Sequence, residues 1–174
     1  MKKNLIVLFF ALLSSLFLSA CDDDKVDTFL TFYTCEAKNS TGVSREVVKM
    51  PVSNFEVIAN KKEFLTSADF DSMDIAEVRT PNGGTIRGFL FNCNEKGKNK
   101  LFRESSANLG GWILLRENGV AVGLRKIDMV MQDGKLFMLL EFAEGTDLTK
   151  KAISYNESIR IISTKVREEE ESLW

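Results

Sequence analysis

An α+β fold is what this sequence predicts: antiparallel β-hairpins forming a sheet, with one main helix packed on a face. Three observations carry that reading. Short runs rich in Val, Ile, Thr and Phe alternate with turn chemistry along the chain, the pattern of hairpin-connected strands. The stretch Glu95–Ala107 follows a capping residue, Asn94, and is stopped by Asn108-Leu109-Gly110-Gly111, which marks a helix. Asn118-Gly119 between two apolar runs favours a tight type I′ hairpin. With 174 residues and 44% hydrophobic content the chain can bury one domain-sized core. No repeat, linker or low-complexity block divides it.

Taken in order, residues 28–36 alternate aromatic, β-branched and polar side chains and read as a strand carrying Cys35. Residues 39–42 are turn chemistry, and 45–50 and 54–59 read as short strands separated by Pro51. Ser67-Ala68-Asp69-Phe70-Asp71 suits a short capped helical turn. Residues 77–80 are expected as a strand ending in the turn Pro81-Asn82-Gly83-Gly84. From that turn Thr85–Cys93 returns, with Phe89, Phe91 and Cys93 on one face. In the helix, Leu101, Phe102 and Ser105 line the inner side while Lys96, Lys98, Lys100 and Arg103 stay in water. Strands follow at 112–115 and 120–124, then a second pair at 127–131 and 136–142 around Gln132-Asp133-Gly134. Residues 146–155 are expected as a last helix and 158–166 as a last strand. One domain thus covers 28–166, and 167–174 is an acidic tail, solvated or frayed.

The N-terminus has the order of a secretory signal over residues 1–20. Lys2 and Lys3 come first, an apolar run over 5–18 is broken only by Ser14 and Ser15, and small residues follow. The run is shorter than the about 20 residues a spanning helix needs. Leu18-Ser19-Ala20-Cys21 then resembles the lipobox of bacterial lipoproteins. That resemblance implies a diacylglycerol on the Cys21 thiol, cleavage before it and fatty acylation (palmitate, for example) of the new amine. The chain would then be tethered to a membrane outside the cytoplasm, each buried methylene adding about 0.8 kcal/mol. Asp22, Asp23 and Asp24 follow, and aspartate there resembles the enterobacterial signal for retention at the inner membrane. The expected location is therefore the periplasmic face of the inner membrane, with the outer membrane as the alternative. Residues 21–27 also read simply as a charged spacer.

Committing Cys21 to lipid leaves Cys35 and Cys93, an even pair in an oxidising compartment where bridging is expected. Two buried free thiols are the alternative. Closing a loop of that length would stabilise the fold by about 4 kcal/mol.

Over residues 63–140 the order of signals resembles the head subdomain of the first periplasmic domain of SecD. Leu65-Thr66-Ser67-Ala68-Asp69-Phe70 looks like its leucine-threonine-glycine-x-aspartate opening. Phe91-Asn92-Cys93-Asn94-Glu95-Lys96-Gly97 is similar to its strand end and acidic-x-glycine helix start. Phe102, Ser105 or Ser106, Asn108 and Gly110 match its phenylalanine, threonine, asparagine and glycine, and residues 113–120 take the place of its hairpin. The resemblance implies a head-like module with a habit of contacting translocating polypeptide. It implies no motor, because nothing here could form the six transmembrane helices that couple proton flow to export in SecD.

Composition removes several chemistries. There is no histidine, which excludes histidine-based triads and histidine-rich zinc sites. No Cys-x-x-Cys is present, so thiol oxidoreductase chemistry is disfavoured. Gly83-Gly84 and Gly110-Gly111 lack the spacing and lysine of phosphate loops. Asp69 with Asp71, or Glu141 with Glu144, are the carboxylate pairs a glycosidase would need, though Asp69 and Asp71 read more simply as helix-start residues. The formal net charge of −2 falls by two more when Lys2 and Lys3 leave with the signal, and no basic stripe points to nucleic acid. The lysines of 96–100 suit anionic headgroups but read first as the wet side of a helix. Trp112 is expected in packing, and Trp174 in the tail.

The expected function is therefore non-enzymatic protein binding with no cofactor and no metal. An immunity or inhibitor protein neutralising a toxin or secreted effector comes first. An accessory to Sec-dependent export or envelope maintenance, binding translocating polypeptide, is the alternative. A hydrolase working with carboxylates alone ranks last.

Overall fold

The computed structural model describes residues 26–37, 45–80 and 82–173. Its elements run β1 (Leu30–Ala37), β2 (Arg45–Lys49), β3 (Glu56–Asn60), β4 (Leu65–Thr66), a 3₁₀ turn (Ser67–Asp69), β5 (Phe70–Arg79) and β6 (Thr85–Cys93). Then come α1 (Glu95–Ala107), β7 (Trp112–Glu117), β8 (Val120–Lys126), β9 (Lys135–Met138) and α2 (Leu148–Glu171). All strand pairings are antiparallel, so the expected α+β class holds. One sheet has the order β2-β3-β1-β7-β8 with β4 beside β1, and a second has the order β5-β6-β9. A bridge between Gly123 and Leu140 joins the two.

Period-two alternation sets where each strand packs. Leu30 and Phe32 of β1, Ile113 and Leu115 of β7, Phe89 and Phe91 of β6, and Leu136 and Met138 of β9 face the main core. Phe32, Phe70 and Phe91 meet there at centroid distances of 5.1 to 5.4 Å. Tyr155 of α2 lies against Phe89 and Phe91. A second, smaller cluster lies on the other side of the first sheet, built from Cys35, Val48, Met50, Val57, Ala59 and Leu114. Trp112 packs at its margin with its ring 5.1 Å from Phe55, the packing role expected of it.

Several expectations hold closely. α1 has the bounds read from the sequence, and the Asn94 side chain accepts from the Gly97 amide. In the β7–β8 hairpin Asn118 and Gly119 have φ of 50° and 84°, both positive as a type I′ turn requires. The 80–84 turn joins β5 and β6 through Thr80 N–H to Gly84 O at 2.8 Å.

Other elements differ. The strand expected over 77–80 is the end of a ten-residue strand, β5, that starts at Phe70 inside the expected helical turn. Asp71, Ser72 and Asp74 are weak strand formers, but register with β6 overrides them, with an irregularity between Phe70 and Ser72. Residues 127–131 form no strand. Ile127 exchanges backbone hydrogen bonds with Gly110 and Gly111, and the Met131 amide donates to Ser105 Oγ, so this segment binds α1 and its exit loop. β9 pairs with β6 instead. The largest departure is α2. One helix, Leu148–Glu171, takes in most of the expected helix at 146–155 and all of the expected strand at 158–166, so most of the expected acidic tail is helical. Tyr155, Ser158 and Ile159 are buried, a three-to-four spacing that gives α2 an inner side; the run Ile159-Arg160-Ile161-Ile162 imitates a strand. In α1, Leu101 and Ser105 are buried but Phe102 is exposed, one residue out of the inner stripe.

The expected Cys35–Cys93 bridge is corrected to two free thiols, the alternative left open by the sequence. Cys35 sits on β1 in the second cluster, while Cys93 ends β6 and packs against the main core. They belong to different sheets. Burial pushes both thiols up to about 12, with Arg116 opposing this at Cys35 and nearby aspartates, Asp69 first, adding to it at Cys93. Cys21, Asp22, Asp23, the 39–42 turn, Pro81 and Trp174 lie outside the described residues.

Candidate functional site

The residues that carry the SecD resemblance meet in one structural knot. Asp69 Oδ2 accepts from the Thr66 amide at 2.9 Å, and both Asp69 oxygens bind Lys100 Nζ at 2.7 and 2.9 Å. Asn94 donates through Nδ2 to Ala68 O and through its own amide to Asp69 O. The first turn of α1 is thereby pinned on the 3₁₀ turn. Gly97 makes this possible: a Cβ there would lie 2.0 Å from the Asp69 carbonyl oxygen. Ser105 Oγ accepts from Met131 N–H, and Asn108 caps α1 at Glu104 O. Leu65, Asp69, Asn94, Gly97, Ser105 and Asn108 thus hold elements together. Their polar groups are spent on contacts within the fold, although Asp69 and Asn94 also line a shallow cavity of about 480 Å³ against α2.

The carboxylate pairs weighed from the sequence are placed as follows. Asp69 is buried and neutralised by Lys100, while Asp71 is exposed on the neighbouring strand residue. Glu141 Oε2 accepts from the amides of Val52 and Ser53 at 2.9 and 3.0 Å, and Glu144 is exposed. A third carboxylate, Glu117, accepts Lys151 Nζ at 2.6 Å and the Tyr155 hydroxyl at 3.1 Å. It ties α2 to β7. Desolvation first, and the Glu117 charge second, push the Tyr155 phenol well above its ordinary value. Among the described residues no group of three or more His, Cys, Asp or Glu is placed to hold a metal ion. Lys96 and Lys100, offered as a basic patch, pair with Glu170 and Asp69.

What the structure leaves open is the outer face of the β5-β6-β9 sheet. Register puts Ala76 opposite Gly88, Val78 opposite Ile86 and Leu90 opposite Phe137, all pointing away from the Phe89–Phe91 core face. Val78 is 45% exposed and Ile86 39% exposed, a large apolar pair one position from the turn end of the hairpin. The Phe137 ring lies over Gly88, whose added Cβ would come within 2.5 Å of it, so glycine lets the ring lie flat across the sheet. Beside Phe137 is a cavity of about 450 Å³ lined by Leu90, Met129, Val130, Phe137, Arg125 and Lys135. Arg125 donates from Nη1 to Phe137 O at 2.8 Å, and its Nη2 is 3.6 Å from Asp128. Asn92 closes the polar end, donating to Ser72 and Asp74.

No residue of this face was singled out as a site from the sequence. Its signal is the composition of β6: Ile86, Phe89, Leu90 and Phe91 are apolar on both sides of the strand. That pattern belongs to a strand covered on both faces, and α2 and the first sheet cover only one.

No family model matches the sequence, and no curated protein is similar to it. Among the described residues no helix is long and apolar enough to cross a membrane. Two solved structures are similar to the chain. One, described as a membrane component SecDF that enhances protein export, gives a TM-score of 0.49 at 13% identity, covering 76% of this chain and 62% of that one. SecDF in its super-membrane-facing form gives 0.50 at 13% identity, covering 76% of this chain and 18% of that one. The chain spans under two thirds of the length of either. The second of these likenesses shows the fold alone, a SecD-like α+β arrangement.

Proposed function

We propose that the protein is a lipid-anchored, non-enzymatic module of the cell envelope that binds extended polypeptide, in service of protein export or envelope maintenance. The observation that carries this reading is the apolar outer face of β5-β6-β9, on which Val78 and Ile86 are exposed and Ala76, Leu90 and Phe137 half-buried. Apolar patches with polar rims mark interaction surfaces. An unfolded chain suits this one because its extended side chains can follow the apolar residues of the sheet and the cavity beside Phe137 without a folded partner of fixed shape. The head-like residues of the sequence and the SecD-like fold support the export setting, and the lipobox at Cys21 supports the tether. Neutralisation of a toxin, the role expected first from the sequence, gains no support from the fold or the comparisons.

The test is binding of the full-length protein, in detergent, to a permanently unfolded reduced and carboxymethylated polypeptide, read by fluorescence anisotropy. Val78→Asp with Ile86→Asp should weaken binding about tenfold or more, since each buried aliphatic side chain contributes about 1.5–3 kcal/mol. Unchanged affinity in that variant overturns the assignment of the face. Crosslinking in native membranes should recover several exported proteins with Sec components; one stoichiometric folded partner would overturn the export reading.

A further inference from the structure

The β2–β3 hairpin forms one end of the first sheet. Val48, Val57 and Ala59 of that hairpin share the second cluster with Cys35 and Leu114 of the central strands, and Ala121 and Leu124 of β8 pack against it. Met50, at the start of the Met50–Phe55 loop, is 1% exposed. The loop reaches the opposite edge of the sheet, where Glu141 sits beside β8 through its own amide bond to Val122 O. There the amides of two consecutive residues, Val52 and Ser53, converge on Glu141 Oε2.

We propose that the β2–β3 hairpin is a flap latched shut over the second cluster by the Glu141 carboxylate, and that losing the latch opens this cluster while the main core stays folded. Three facts make the two regions separable. No residue of β2 or β3 belongs to the main core. The hairpin pairs with β1 through three residues, Cys35, Glu36 and Ala37. Its other ties include Asn60 to Thr34, the Phe55 ring on Trp112 and the exposed end of the Arg116–Glu46 pair. The latch concentrates two charge-assisted hydrogen bonds on one oxygen, so a single proton weakens both.

The charges around Glu141 do not set this behaviour. Residues 50–55 of the loop and 120–124 of β8 carry none; the nearest along the chain are Lys49, Glu56, Arg125, Lys126 and Glu144. Burial raises the Glu141 pKa, but hydrogen bonding from Ser53 and from the Val52 amide outweighs it and holds the group below its usual value of 4.5. A carboxylate with a lowered native pKa stabilises the closed form above the ordinary value and loses that contribution as pH falls through the lowered one.

Cys35 pairs with Ala59 of the flap and is buried in the second cluster, so it reports on opening, with Cys93 as the internal reference. Full-length protein in detergent is alkylated with N-ethylmaleimide, and each cysteine is read by peptide mass spectrometry. Glu141→Gln should raise the Cys35 rate about tenfold and leave the Cys93 rate unchanged. An unchanged Cys35 rate, or both rates rising together, overturns the proposal. The wild-type protein gives a second readout that depends on no variant. From about pH 6 to about pH 3, across ordinary carboxylate titration, hydrogen exchange of the Val52 and Ser53 amides, corrected for intrinsic rate, should quicken before that of β6. Simultaneous quickening overturns the proposal equally.

Discussion

Gly97 and Asp69 show how single residues fix the geometry around which this domain is built. The close approach of the Asp69 carbonyl to the Gly97 Cα leaves no room for a side chain, and the Asp69 carboxylate is satisfied by Lys100 and by a backbone amide. Gly97→Ala should therefore destabilise the protein by about 1–3 kcal/mol, the usual range for overpacking, read as a lower urea midpoint. Tyr155→Phe removes one hydrogen bond to a carboxylate that keeps Lys151 as partner, so its expected cost is smaller, about 1 kcal/mol in the same assay. The residues of the knot were visible in the sequence because each is a special type: a capping asparagine, a helix-start glycine, an acid one turn after a threonine. Their mutual contact was not, since Asp69 and Lys100 meet across 31 positions.

At the scale of elements, local chemistry decides α1 and the tight hairpins, whereas packing decides the long helix and the extended β5. Asn94, Asn118-Gly119 and residues 82–84 act within a turn of their own positions, so α1 and two hairpins fell where expected. The residues of α2 were divided because Ile159, Ile161, Ile162 and Val166 have β-branched side chains that helices disfavour slightly. Burial of Tyr155 and Ile159 against the sheet outweighs that preference. Ile159→Ala should accordingly cost about 2–5 kcal/mol, as large-to-small core changes do, whereas Lys96→Ala should change stability by less than about 0.5 kcal/mol. The Lys96–Glu170 pair has more than half of each side chain in solvent, and such surface pairs contribute little. Chemical denaturation of the two variants side by side checks both statements.

For the whole molecule, the free thiols set a dependence on alkaline pH. Both are raised from 9.0 to about 12 by burial. A group whose native pKa is raised contributes stability that is complete below its unfolded value and is lost as pH rises through the native one. Unfolding free energy should thus decline between pH 9 and about pH 12, and replacing both cysteines with alanine should flatten that decline in urea melts at stepped pH. Alkylation after denaturation without reductant should modify both Cys35 and Cys93, as two separate thiols require. Sequence alone determined the α+β class, the bounds of α1, the turn chemistry of the hairpins and the expectation of an anchored, exported chain, because each rests on residues that act on near neighbours. Tertiary structure alone decided that the cysteines stand in different sheets, that α2 is one helix about 36 Å long, and that Val78 and Ile86 on the outer face of β5-β6-β9 stay exposed. The physical reason is shared: burial, strand partnership and exposure are set by groups distant in the chain, and only folding brings those together or leaves a face with nothing to cover it.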